Sequence, residues 1–353
     1  MPTLLDPIVL GSLALPNRVI MAPLTRMRCS DERRTPNALM REYYVQRASA
    51  GLIISEATSV MSSGVGYPRT PGIWSEEQVD AWRDVVDAVH AAGGRIVLQL
   101  WHVGRVSDPV YHSGAPPVAP SPLAPSGHVN MLRPVRPFTV PRALEFQEIQ
   151  AVVEAYRQGA ANALRAEFDG VEVHGANGYL LDQFLQDNSN ERTDCYGGAI
   201  ENRARLMLEV VDALLSVWDA GRVGVHLSPA GTLHDMGDRN PALTFGYLAR
   251  ELSKRRIAFV CVRESSPQRQ LEMQLRELFS GAYIANEGYT PASASAALAE
   301  GTADAIAFGR LFISNPDLTR RIAGGTPLSA WDEKTFYSGA GMGYTDYSEY
   351  VAG

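Results

Sequence analysis

The sequence predicts one α/β domain, residues 1–353, that folds as an eight-stranded (β/α)8 barrel with one excursion after the third strand. Two observations predict this fold: eight short apolar segments recur along the chain, and segments with helical spacing lie between them. A chain of 353 residues with 45% hydrophobic content is long enough to bury one large core.

Each apolar segment has the composition of a buried strand. Nearly all are apolar on both faces, which is typical of a parallel sheet covered by helices. The eight segments are VIMAPL (19–24), GLIISEA (51–57), RIVLQL (95–100), GVEVHG (170–175), VGVHLSP (223–229), IAFVCVRE (257–264), GAYIANE (281–287) and DAIAFG (304–309). A sheet of this kind that closes on itself is a TIM barrel.

The segments between the strands carry helix signals. The stretch SEEQVDAWRDVVDAVHAAG begins with Ser75 as an N-cap, has acidic residues in its first turn and ends at Gly93. A second amphipathic helix is predicted for FQEIQAVVEAYRQGAANALRA. Before it, residues 101–143 are so rich in Pro, Gly and Ser that no helix can run through them. We interpret 101–143 as a capping subdomain over the active face of the barrel.

The net charge and the cysteine content limit which classes of binding partner and which cellular compartment we expect. A net charge of −7 argues against binding of nucleic acid or of an anionic membrane, so small molecules are the expected partners. Cys29, Cys195 and Cys261 are too few and too widely spaced for a disulfide framework or a zinc pair. The first residues lack the features of a signal peptide, and no segment has the roughly 20 apolar residues of a membrane span. These observations predict a cytoplasmic protein.

The residues after each strand limit the chemistry, because they build the active face of a barrel. The chain has two lysines, Lys254 and Lys334, and neither follows a strand, which argues against Schiff-base and pyridoxal chemistry. The seven histidines are scattered, so no metal site is predicted. A phosphate-bearing cofactor is expected at the loops after strands seven and eight, where the sequence has Gly288, Gly309 and Arg310, although each of these also occurs in simple turns or ion pairs.

A polar cluster follows the fourth strand. His174 and Asn177 can direct an imidazole N–H and an amide N–H at one oxygen that gains negative charge. Tyr179 is a weak acid that can give a proton to a neighbouring carbon. The alternative is that all three satisfy backbone groups in the core, and their place on the active face favours catalysis.

These residues lie within longer motifs that resemble the Old Yellow Enzymes, which are ene-reductases that depend on flavin mononucleotide (FMN). The resemblance covers nearly the whole chain. Its motifs are NRVIMAPLTRMR, EYYVQRASAGLIISEAT, GYPRTPGIW, RIVLQLWHVGR, FDGVEVHGANGYLLDQFLQDNSNERTDCYGGAIENRARL and ADAIAFGRLFISNPDL.

The resemblance implies a role for each matched position. For a tightly bound FMN, the implied contacts are Pro23, Thr25, Ala57, Gln99 and the residue at position 226, with Gly288, Gly309 and Arg310 at the phosphate. For the substrate, they are His174 and Asn177 at the oxygen, Tyr179 as proton donor, and Tyr67, Trp101, Leu233 and Tyr337 around the pocket.

The implied reaction is ping-pong. NADPH or NADH reduces the flavin and leaves, and an activated alkene then receives a hydride at its β-carbon while Tyr179 protonates the α-carbon. Enones, maleimides and nitroalkenes are the expected substrates. A monomer or a homodimer is expected.

Two positions depart from the family pattern. His226 stands where an arginine normally lies against the flavin, so a permanent cation is replaced by one that is charged only when protonated. We therefore expect the flavin potential to fall more steeply between about pH 6 and pH 8 than in a His226→Arg variant, and this variant to bind FMN more tightly. Leu233 stands where an aromatic residue is common, which suggests a wider pocket. Cys29 is interpreted as structural.

Two alternatives remain open from the sequence. One is another flavin barrel of the 2-hydroxy acid oxidase type, against which Asn177 and Tyr179 argue. The other is a flavin-poor binding protein in which His226 has ended turnover. The colour of the purified protein distinguishes the second alternative.

Overall fold

Eight parallel strands form the centre of the molecule in a computed structural model, which describes residues 1–30, 33–264 and 270–350. The strands are β1 (Val19–Met21), β2 (Leu52–Ile54), β3 (Ile96–Trp101), β4 (Gly170–Gly175), β5 (Val223–Leu227), β6 (Phe259–Arg263), β7 (Ala282–Asn286) and β8 (Ala305–Phe308). All eight lie within the predicted segments, except that β3 extends one residue further, to Trp101.

The sheet closes into a barrel. Each strand pairs with its neighbours in chain order, and β8 returns to β1, where Phe308 is opposite Met21. On the other side, Ile53 of β2 pairs with Met21 of β1 and with Ile96 of β3. A short strand, Thr58–Ser59, continues alongside the end of β3. The predicted (β/α)8 barrel is confirmed.

Helices surround the barrel. They are α1 (Ala38–Val45), α2 (Glu76–Ala91), α3 (Phe146–Arg165), α4 (Leu180–Leu185), α5 (Ile200–Arg203), α6 (Arg205–Leu215), α7 (Pro241–Lys254), α8 (Gln270–Leu278), α9 (Pro291–Glu300), α10 (Arg310–Ser314) and α11 (Leu318–Gly324). Ser75 caps α2 as predicted, because its side chain accepts the Gln78 N–H. Among the helices of the described ranges, none is long and apolar enough to cross a bilayer.

An N-terminal hairpin fills the lower end of the barrel. Its strands, Ile8–Leu10 and Leu13–Leu15, are antiparallel, and the Ser12 N–H between them donates to the Gly221 carbonyl at 2.7 Å. Leu10, Leu13 and Leu15 are buried with the inward side chains of the strands. Because these side chains fill the end of the barrel where the strands begin, a cavity in the barrel is expected at the other end, where the strands have their carboxyl ends.

The excursion after β3 lies on that open side. It begins one residue later than predicted, since Trp101 completes β3. The excursion contains a 3₁₀ turn, Pro109–His112, and a short parallel pair between Val118–Ala119 and Arg142–Ala143, with no α-helix. Val103, Val106 and Val129 pack in one apolar cluster with Trp101 and Tyr67. Its role as a cap remains a prediction.

Candidate active site

A cavity of about 790 Å³ opens at the carboxyl ends of the strands. Its lining contains all but one of the residues that the sequence predicts for the site: Pro23, Thr25, Ala57, Gln99, Trp101, His174, Asn177, Tyr179, His226, Leu233, Gly288, Gly309, Arg310 and Tyr337. Tyr67 is the exception, and it lies behind two of them. It stacks on Trp101 with ring centroids 5.7 Å apart, and its hydroxyl is 3.2 Å from that of Tyr179.

The aromatic side chains form a fixed corner. The Tyr179 ring stands nearly perpendicular to both neighbours, with centroids 5.0 Å from His174 and 4.9 Å from Trp101. The His174 ring stacks on that of His226 at 5.4 Å. His174 and His226 occupy the same register on β4 and β5, so the strand pairing itself places the two imidazoles side by side.

Burial shifts the pKa values of His174 and Tyr179 and thereby determines their protonation states. It lowers the pKa of His174 well below its usual range, and the neighbouring His226 lowers it further. Burial likewise raises the pKa of Tyr179 to about 12, although the bond to Tyr67 opposes this. Near neutral pH the imidazole is therefore uncharged and the phenol keeps its proton, as an acid catalyst requires.

Asn177 is held in an unusual conformation by three bonds. Its φ of 59° is left-handed, which asparagine tolerates better than most residues. Its backbone N–H donates to the Ser228 hydroxyl at 2.7 Å, and its carbonyl accepts from Nδ1 of His234 at 2.8 Å. Its side-chain Oδ1 accepts from Nη1 of Arg263 at 2.9 Å.

The next residue must be glycine for two reasons. Gly178 has a φ of 75°, and an added Cβ would lie 2.7 Å from the Leu233 carbonyl oxygen. The turn that contains Leu233 therefore packs directly on the Asn177 loop. This contact brings Leu233 to the cavity wall, where the sequence places it.

A buried chain of polar groups runs beneath the cavity. The Gln99 Nε2 atom is 2.7 Å from the Glu172 carboxylate and 3.1 Å from Nδ1 of His226. Because an amide nitrogen only donates, Nδ1 accepts and the imidazole hydrogen resides on Nε2. Burial lowers the pKa of His226 to about 3 and raises that of Glu172 to about 8.

One wall of the cavity comes from a segment after the barrel. Phe336 and Tyr337 line the cavity, and buried arginines after β1 hold their segment in place. Arg26 donates through Nε to the Phe336 carbonyl at 3.0 Å and through Nη2 to the Gly343 carbonyl at 2.7 Å. Arg28 donates to the Thr335 carbonyl at 2.7 Å. Residues 335–344 are therefore tied to the first strand of the barrel.

The residues predicted to hold the phosphate also line this cavity. Gly288 has a φ of 76°, and an added Cβ would meet no atom within 4 Å among the described residues. Arg310 is largely exposed, 3.4 Å from the Glu333 carboxylate and near the Trp331 ring. The main chain at Gly288 and Gly309 and the Arg310 side chain thus border one end of the same cavity.

Comparison with known proteins identifies the family of this chain. Residues 3–329 match the model of the NADH:flavin oxidoreductase / NADH oxidase family. The chain belongs to this family. It is an Old Yellow Enzyme, with FMN as cofactor and NAD(P)H as reductant, and the predicted resemblance is confirmed.

Similar proteins span the full chain. A flavin oxidoreductase of Emericella nidulans, hxnT, is 43% identical over 98% of this chain and 97% of its own length. The 12-oxophytodienoate reductase 2 of Arabidopsis thaliana is 42% identical over 98% of this chain and 95% of its own. Morphinone reductase, solved with tetrahydroNAD, is 49% identical with a TM-score of 0.95 over 99% of this chain and 98% of its own. The Old Yellow Enzyme homologue of Zymomonas mobilis is 44% identical with a TM-score of 0.95, covering 98% and 99%.

The cavity fits the cofactor of the Old Yellow Enzymes. Three buried polar atoms on its wall have no hydrogen-bond partner among the described residues: Nε1 of Trp101, Nδ1 of His174 and Nε2 of His226. Buried donors and acceptors are normally satisfied, so three such atoms around one cavity indicate a polar ligand. Gln99 and His226 would face such a ligand from below, and Gly288, Gly309 and Arg310 from one end.

Sequence reasoning missed four residues of this site. Ser228 and His234 anchor the Asn177 backbone, and Arg263 and Glu287 line the cavity. The neighbouring carboxylate of Glu264, which follows β6, instead accepts the Tyr283 hydroxyl at 2.9 Å. The signal for Arg263 was present, because it lies two residues after inward-facing Cys261 and a strand alternates with period two.

Proposed function

We propose that this Old Yellow Enzyme is an NAD(P)H-dependent ene-reductase that reduces alkenes conjugated to a carbonyl or nitro group. One observation supports this most strongly: His174, Asn177 and Tyr179 meet at a single corner of the cavity, with the His174 and Tyr179 rings 5.0 Å apart. Bound FMN, reduced by NADPH or NADH, supplies the hydride that the β-carbon of the alkene receives.

His174 and Asn177 hold the oxygen of the substrate. Negative charge grows on this oxygen as the β-carbon is reduced, so donors fixed in advance favour the transition state over the bound alkene. His174 is neutral and can donate without carrying charge. Only alkenes with an electron-withdrawing oxygen can use these donors, which explains the proposed preference for enones, maleimides and nitroalkenes.

Tyr179 completes the reaction by giving its proton to the α-carbon. Its high pKa keeps the proton in place until the carbon becomes basic. The neighbouring Tyr67 hydroxyl, 3.2 Å away, is positioned to donate to the phenolate that remains. Trp101, Tyr337 and Leu233 provide apolar walls around the substrate.

The test separates binding, reduction and turnover. Purified protein is reconstituted with FMN, reduced anaerobically with NADPH or NADH, and mixed with 2-cyclohexenone, a maleimide and a nitroalkene. Loss of substrate with reoxidation of the flavin supports the proposal. Protein that binds FMN but turns over lactate without nicotinamide contradicts it, and so does protein that cannot retain FMN.

A further inference from the structure

A positive side chain near the cavity would stabilise the negative charge that grows there, and neither imidazole supplies one. This inference rests on the proposed function, in which charge grows on the substrate oxygen. Burial lowers the pKa of His226 to about 3 and that of His174 well below its usual range. Both are neutral near pH 7, so among the described residues that line the cavity only arginines carry a permanent positive charge.

Three arginines are found among the described residues that line the cavity, and two of them have interactions away from the oxygen-binding corner. Arg26 donates to the carbonyls of Phe336 and Gly343 and thereby holds the segment that carries the cavity wall. Arg310 lies at the outer end with its side chain 62% exposed, beside the Glu333 carboxylate. The third arginine is Arg263, the last residue of β6.

Arg263 lies within electrostatic reach of the reacting corner. Burial and then Arg263 lower the pKa of His226, and Arg263 also contributes to the lowered pKa of His174. Burial raises the pKa of Tyr179, while Arg263 opposes that rise. One guanidinium therefore disfavours the protonated form of three groups that surround the predicted substrate position, as a positive potential at this corner would.

The bond from Arg263 to Asn177 also fixes the direction of the amide. A guanidinium has only donors, so the atom that faces it must be Oδ1 of Asn177. The Asn177 NH₂ group then points away from Arg263. Ser228 and His234 hold the Asn177 backbone, and Arg263 holds its side-chain oxygen. Both the main chain and the side chain of Asn177 are therefore fixed.

Glu287 is the counter-ion that orients Arg263. Its carboxylate accepts from Nε and Nη2 of Arg263, the latter at 2.7 Å, in a two-pronged pair. This arrangement turns Nη1 toward Asn177. Glu287 has a φ of 82°, a conformation that residues other than glycine rarely adopt, so the carboxylate is positioned at the expense of backbone strain.

We propose that Arg263 is the positioning residue that supplies positive charge to the oxygen-binding corner, acting through Asn177, and that Glu287 moderates this charge. Arg263 polarises the Asn177 amide and raises its strength as a donor to an anion. It thereby provides the cation that His226 does not.

The test uses Arg263→Gln, which removes the charge, and Arg263→Lys, which keeps it, in FMN-reconstituted protein. Binding of 4-chlorophenol, an oxyanion mimic, is followed by its long-wavelength charge-transfer band. We expect Arg263→Gln to weaken binding roughly tenfold or more and to lower the midpoint potential of the flavin, whereas Arg263→Lys retains most of both. Arg157→Gln, which breaks an exposed ion pair with Glu154 on α3, is the control and should match the parent.

Glu287→Gln gives a test of opposite sign. Removing the counter-ion should strengthen phenol binding and raise the potential, a change that damage to the fold would not produce. The proposal is overturned if Arg263→Gln binds the phenol as the parent does, if the Lys and Gln variants lose affinity equally, or if Glu287→Gln weakens binding. A parent protein that fails to bind FMN instead contradicts the proposed function itself.

Discussion

Gln99 and His226 are joined by a hydrogen bond that only a neutral imidazole can accept. The Gln99 amide nitrogen donates to Nδ1 of His226 and also to the Glu172 carboxylate. Protonation of His226 would therefore place two donors face to face and disrupt the bond between Gln99 and His226. This bond and the lowered pKa favour a neutral His226 near neutral pH, whereas the sequence led us to expect a switchable cation there.

His226→Arg should raise the midpoint potential of the flavin by the same amount at every pH from 6 to 8. The reason is that His226, with a pKa of about 3, is neutral throughout this range in the parent, while arginine is charged throughout. Spectroelectrochemical titration of both proteins measures the difference. A difference that shrinks toward pH 6 would show that the reduced flavin raises the pKa of His226 enough for it to titrate.

Tyr179→Phe should slow reduction of 2-cyclohexenone by a factor on the order of 10² to 10⁴, the usual loss when a general acid is removed. Reduction of the flavin by NADPH should change little, because the phenol has no part in that half-reaction. Stopped-flow measurement of the two half-reactions decides between these effects. Tyr67→Phe, which removes the neighbouring hydroxyl, should cost less, and equal losses in both half-reactions would mean that Tyr179 is structural.

Replacing His174 and Asn177 together with alanine should abolish the charge-transfer band with para-substituted phenols. Both donors to the phenol oxygen are lost, while Gln99 and the predicted phosphate end are unchanged. Optical titration of the reconstituted double variant measures the band, and its flavin spectrum serves as the control for cofactor binding. Survival of the band with parent affinity would refute the assignment of the oxygen site.

In Glu172→Gln, the free energy of unfolding should decrease less than in the parent as pH rises. Burial raises the pKa of Glu172 from 4.5 to about 8, so the folded protein binds this proton more tightly than the unfolded chain. Glu172 therefore costs stability progressively between about pH 4.5 and pH 8. Urea unfolding at pH 5 and pH 8 should show a smaller drop in the variant than in the parent.

Comparison of the variant with the parent controls for the other buried carboxyl groups. Burial also raises the pKa of Glu56 and of Asp182, each to about 7, and both are present in the two proteins. Their contributions cancel in the comparison. Equal drops in stability for parent and variant would show that Glu172 is ionised in the folded protein at neutral pH.

The fold was predictable because the strands of a parallel barrel are buried on both faces and stand out as apolar runs. The positions of His174 and Asn177 followed, since His174 lies at the end of β4 and Asn177 comes two residues after it. The sequence could not show that Asn177 is held by Ser228 and His234, because these contacts join residues more than 50 positions apart. Arg263 was missed although strand alternation indicated its inward face, because its role depends on its pair with Glu287 and its bond to Asn177, which join different strands and loops.

The bonds from Arg26 and Arg28 to residues 335–344 have a consequence for protein synthesis. Domains begin to fold while the ribosome is still translating them, starting from the N-terminus. The barrel strands are all translated by Phe308, but Tyr337 and its neighbours, which form one wall of the cavity, follow almost thirty residues later. A nascent chain can thus close its barrel before it can enclose the cofactor, so we expect FMN to be captured late, after residues 335–344 have emerged and docked on the arginines.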